Sequence, residues 1–130
     1  MNKSEILGAF NNHIGDFFND VSIIFPDNND IKLAKTSLAS IRKVNPRLVV
    51  TIWKEYIVDK YKNEIEGGNI NFFLDKNYSS DLEDVGQASV ILEKIDTLRE
   101  PIREMGEENL IKTKEYVQNL TKICTMYYQL

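Results

Sequence analysis

The chain has one cysteine, Cys124, and therefore no internal disulfide. A lone thiol fits a reducing compartment. There is one histidine, His13, so no site needing two imidazoles can form. Three prolines and six glycines are too few to supply the turns of an all-β sandwich in 130 residues. No apolar run approaches the roughly 20 residues of a spanning helix. The segment Met1-Asn2-Lys3-Ser4-Glu5 lacks the charged region, apolar stretch and small-residue cleavage site of a secretory signal. The expectation is a soluble intracellular protein, or one assembled inside a cell, without a membrane partner. G-x-G-x-x-G, G-x-S-x-G and H-E-x-x-H are all missing. No catalytic residue, metal ligand set, cofactor or small-molecule substrate is therefore expected, and the chain reads as no enzyme.

What is present describes a folded domain. The chain is 42% hydrophobic and 28% charged, an ordinary globular balance, and 130 residues suit one core rather than two. Fifteen Ile, 13 Asn and 12 Lys stand against four Arg and four Ala, a bias that AT-rich codons produce. The net charge of −4 is unevenly spread. Between Ile31 and Lys54 lie six cations, Lys32, Lys35, Arg42, Lys43, Arg47 and Lys54, and no acid, so the remainder carries −10. A basic segment in an acidic chain points to a specific electrostatic contact, within the protein or with a partner.

Periodicity predicts helices throughout. Leu7, Phe10, Ile14, Phe17, Val21 and Ile24 form a heptad seam over about Ser4–Phe25, widened by Ile6, Phe18 and Phe25. Ser4 is the expected N-cap, and Pro26 ends the helix. A second helix follows the Asp27–Asp30 turn and reaches about Val44, with Ile31, Ala34, Leu38 and Ile41 inside an arc of about 80°. Lys32, Lys35, Arg42 and Lys43 occupy a neighbouring arc of about 100°. Asn45-Pro46 restarts a third helix that Gly67-Gly68 stops, with Val49, Ile52, Trp53, Tyr56, Ile57 and Tyr61 inward. Ile70, Phe72, Phe73 and Leu74 read as an apolar plug in an irregular stretch. Ser80-Asp81-Leu82-Glu83 forms a capping box for a fourth helix with Val85, Ala88, Leu92, Ile95, Leu98 and Ile102 on one face, broken near Arg99–Glu100 by Pro101. A fifth runs from about Glu107 to the end, with Leu110, Val117, Leu120, Cys124 and Tyr127 inward. The predicted fold is all-α: one domain, 1–130, a bundle of four to five amphipathic helices.

Three groups resemble sites and are better explained structurally. His13, Asp16 and Asp20 share an arc of about 60°, too few donors for a metal. Asp75 to Ser80 begins like a calcium loop, yet positions six and twelve are Ser80 and Gly86 instead of Gly and Glu. Cys124 falls on an apolar stripe, where a thiol acts as a small hydrophobe.

The feature above background is the basic face. Helices two and three, joined by Val44-Asn45-Pro46, place Lys32, Lys35, Arg42, Lys43, Arg47 and Lys54 toward a protein or nucleic-acid partner. Phe72-Phe73 and Tyr127-Tyr128 are the aromatics that exceed core needs and so are interface candidates. The coiled-coil spacing of the first helix suggests another helix as partner, in an oligomer or a complex.

Phe10-Asn11-Asn12-His13, Asp20-Val21, Phe25-Pro26-Asp27, the run from Asp30 to Leu38, Ile41 to Pro46, and Ile52-Trp53 together resemble a group of short, uncharacterised proteins encoded by giant nucleocytoplasmic large DNA viruses. The likeness covers about the first 65 residues and brings no catalytic motif. It implies a context: a viral factory in host cytoplasm, or the virion. The expected function is that of a non-enzymatic helical interaction protein, a minor structural or capsid-associated component. The competing expectation is a nucleic-acid-associated regulatory factor using the basic face.

Overall fold

The computed structural model describes residues 2–69 and 86–130. Helix α1 (Lys3–Ile24) begins at Asn2, whose side chain accepts from the Glu5 N–H at 2.8 Å. The cap thus lies two residues before Ser4, since Asn2 keeps extended backbone while Ser4 is already helical. Helix α2 (Asn29–Val44) is capped the same way by Asn28, which accepts from the Ile31 N–H at 3.1 Å.

Asn45-Pro46 forms a turn instead of opening the next helix, and α3 (Leu48–Trp53) starts two residues later. It runs into one wide π-turn (Lys54–Val58) and then α4 (Asp59–Glu66). The π-turn has a packing reason. In a regular helix Val58 would lie about 140° around the axis from Trp53. The extra residue brings Val58 inward beside Ile57, and both are buried. Helix α4 ends where Asn69 N–H reaches the Glu64 carbonyl at 2.8 Å and Gly68 N–H the Ile65 carbonyl at 3.0 Å. This pair of bonds requires a left-handed residue between, which Gly68 supplies at φ +78°.

Helix α5 (Gly86–Asp96) breaks at Thr97-Leu98, slightly earlier than Arg99–Glu100. Pro101 sits in the first turn of α6 (Arg99–Arg103), where its missing N–H leaves no hydrogen bond unmade. Helix α7 (Glu107–Tyr128) completes the chain. The all-α bundle expected from periodicity is what forms, with no strand among the described residues. Phe72, Phe73, the capping box at Ser80, the calcium-like loop and Val85 lie outside the described residues.

Helix α1 is central. It packs between α2 and α7 and touches α3; α4 and the π-turn lie on α7, and α5 covers α2 and α3. Trp53, fully buried, meets Phe10 edge-on at 6.2 Å between ring centres. Its indole Nε1 donates to the Thr121 hydroxyl at 3.3 Å. The core takes up the middle of the α1 seam: Phe10, Ile14, Phe17 and Val21 are buried, while Leu7 is partly buried and Ile24 is exposed. Helices α2 and α7 supply the facing helices for that buried part of the seam. Among the described residues no helix is long and apolar enough to cross a membrane.

Candidate interaction surface

The six cations of the basic segment divide three ways. Arg42 turns inward. Its guanidinium lies on α1 and Nη1 donates to the Asn11 carbonyl. Gly15 makes the approach feasible, since a Cβ there would stand 2.8 Å from that nitrogen. Asn11 in turn donates through Nδ2 to the Pro46 carbonyl at 2.9 Å. Arg42, Asn11 and Gly15 therefore clasp the α2–α3 turn to the central helix, and Arg42 is a structural cation. Lys54 forms an ion pair with Asp59 at 2.6 Å and lies 5.5 Å from the Tyr128 ring, toward the C-terminal end of α7. Lys35 donates to Asn19 Oδ1 at 2.7 Å. Lys32, Lys43 and Arg47 are exposed.

Beside the last two lies the most conspicuous apolar surface. Val44, the final residue of α2, is 87% exposed. With Ser40, Ile41, Asn45, Leu48 and the half-exposed Val90 of α5 it lines a hollow of about 300 Å³. The origin is local. The apolar stripe of α2 buries Ile31, Ala34 and Leu38, while the helix continues past the core for a further turn. Leu33, Ser37, Ser40 and Val44 fall within about 60° on the helical wheel and make an uncharged strip beside the buried stripe. Lys43 and Arg47 stand one residue before and three after Val44, and among the described residues no acid lines the hollow. The result is an apolar notch with a basic flank.

The C-terminal aromatics differ from expectation in one respect. Tyr127 is buried, only 6% exposed, because it completes the inward stripe of α7. Tyr128 remains exposed and donates from its hydroxyl to Thr51 Oγ1 at 3.1 Å. A second hollow, about 430 Å³, runs between α4 and α7 past Lys62, Ile65, Glu66, Gln118, Lys122 and Thr125. Its cations and anion are of mixed sign and select no ligand class.

The remaining polar candidates are structural. His13 lies tilted against Tyr116 at 4.8 Å between ring centres, and Tyr116 stacks on Phe17 at 5.1 Å while bonding Asp20 through its hydroxyl. Burial and the Asp20 bond hold the Tyr116 phenol above its ordinary value. Among the described residues no three carboxylate, imidazole or thiol groups converge on a metal position. Burial pushes the Cys124 thiol up to about 12, and Sγ faces the Val50 carbonyl at 3.6 Å. That is a packed thiol without nucleophilic character.

His13 gives a pH prediction. Burial lowers its imidazole below 6.5, against the opposing pull of Asp16. The unfolded chain then binds a proton more readily, so stability falls as pH drops through about 6.5 toward the lower folded value. Melting curves at pH 7.5 and 5.5 should show a smaller loss for His13→Gln than for the unsubstituted chain. An equal or larger loss in the variant would contradict the burial argument.

Compared with known proteins, the chain matches no family model, no curated protein and no solved structure.

Proposed function

We propose that this chain is a non-enzymatic helical interaction protein, a minor structural component associated with the particle of a large DNA virus. The carrying observation is the Val44 notch. Val44, 87% exposed, is the most exposed large apolar residue among the described residues, and it lines a hollow whose described lining residues carry no charge. Neighbouring Lys43 and Arg47 add the charged flank that gives a docking surface its orientation. The viral context rests on the likeness of the first 65 residues and on the Asn-, Ile- and Lys-rich composition.

The test is location in purified particles. Detection in the outer shell at a fixed ratio to the major shell protein is expected. Recovery with genome or polymerase, or absence from particles, would overturn the reading.

A nucleic-acid-associated factor is the second reading, favoured by the exposure of Lys32, Lys43 and Arg47. The inward turn of Arg42 and the pairing of Lys54 with Asp59 weigh against it, since each removes a cation from the phosphate-facing set.

A further inference from the structure

Resting on that reading, we propose that the outward face of α2 docks an acidic amphipathic helix of a different protein, laid across the face between Lys32-Leu33 and Lys43-Val44. Lys35, Arg42 and Lys54 are taken by Asn19, Asn11 and Asp59. Among the described residues the side chains of Lys32, Lys43 and Arg47 make no ion pair or hydrogen bond. Internal charge pairing therefore does not account for these three. Lys32 and Lys43 stand on α2, and each is followed by an exposed large apolar residue, Leu33 at 64% and Val44 at 87%.

The two lysine–apolar pairs share one face. Eleven residues make three turns and about 20°, a rise of about 16 Å. Between the pairs the outward positions are Thr36, Ala39 and Ser40, all exposed and short. A helix about 10 Å across fits there without meeting a long side chain. It would touch an apolar group and a lysine at each edge. The matching occupant has an apolar stripe with carboxylates along both sides. The acids nearest in this chain do not fill that role. Asp16 lines the hollow between α1 and α2, on the side of Lys35 and Arg42. On α5, Val90 stands between Glu93 and Lys94, an edge without net sign. A nucleic acid would meet the cations and leave Leu33 and Val44 in water, so the apolar residues select protein over phosphate.

The probe is a synthetic peptide of about 18 residues, long enough to be helical alone. Its leucines recur every three or four positions between two rows of glutamate. It is titrated into the full isotope-labelled chain at low ionic strength, where exposed charges are least screened. Amide chemical shifts should move along Lys32–Val44 of α2, with a dissociation constant below about 1 mM. The same peptide with lysine in place of each glutamate should bind about tenfold more weakly or not at all. Lys32→Glu/Lys43→Glu should exchange that preference, and Leu33→Ser/Val44→Ser should weaken the glutamate peptide by about tenfold. All four positions are exposed, and unchanged melting curves verify the fold.

No binding at about 1 mM peptide, shifts centred away from α2, or equal binding of both peptides would each overturn the proposal. So would a DNA duplex bound more tightly than the glutamate peptide at the same salt, which would give the face to phosphates. A chain found at fixed ratio in particle shells that ignores the peptide would lose this docking face and keep the interaction reading. Peptide binding by a chain absent from particles would do the reverse.

Discussion

Replacing Trp53 with alanine should lower the free energy of unfolding by about 3–5 kcal/mol, the usual cost of deleting a buried aromatic. A domain of this size has about 5–15 kcal/mol in total, so the variant would lose a large share of its stability. Two observations place it at the upper end of core substitutions. Trp53 is wholly inaccessible and lies among α1, the π-turn and α7, with Phe10 against its ring. Its indole N–H also fixes Thr121, one of two buried threonines on α7. Denaturant unfolding followed by far-ultraviolet circular dichroism measures the loss. Trp53→Phe should lose less, since it keeps an aromatic ring and forfeits only the larger volume and one hydrogen bond. A Trp53→Ala loss below about 1 kcal/mol would mean that the core is not organised around this residue.

Much of this fold is legible from spacing because its helices bury continuous stripes. The stripe of α2 and the inward positions of α7 follow directly from the 3.6-residue period. Period alone fails where one turn changes pitch. A regular helix turns Val58 away from the core, and only the π-turn at Lys54–Val58 brings it back. Thr113 and Thr121 escape an apolar count because their hydroxyls are satisfied internally, by Asn109 and by Trp53. The coiled-coil spacing of α1 finds facing helices within the bundle along the middle of the seam, since a central helix has neighbours on two sides. Tyr127 belongs to the core for the same reason that Cys124, three residues before it, does.

The candidate surface was less legible. A wheel groups Lys32, Lys35, Arg42 and Lys43 on one arc, but it does not show what lies across from them. Arg42 is captured because Gly15, on another helix, leaves room for a guanidinium beside the Asn11 carbonyl. Val44 was visible only as the residue before a turn. Its exposure depends on how far α2 overshoots the core, a tertiary distance that no local pattern encodes.

Arg42 and Lys43, adjacent in sequence, should consequently behave as opposites. Arg42→Glu removes a charged hydrogen bond from the clasp and places a carboxylate against the Asn11 carbonyl. A loss of about 1.5–3 kcal/mol is expected, the range for hydrogen bonds to charged groups. Lys43→Glu, at an exposed position, should change stability by no more than about 0.5 kcal/mol. Paired melting curves decide the first point, and a gel-shift series in moderate salt decides the second. If the basic face served phosphates, Arg42→Glu would leave stability untouched and abolish retardation of DNA or RNA, with Lys43→Glu close behind. If the clasp is the role of Arg42, retardation should be absent or equal in all three proteins while only Arg42→Glu melts early. The net charge of −4 favours that second outcome, because it repels a polyanion before any short-range contact is made.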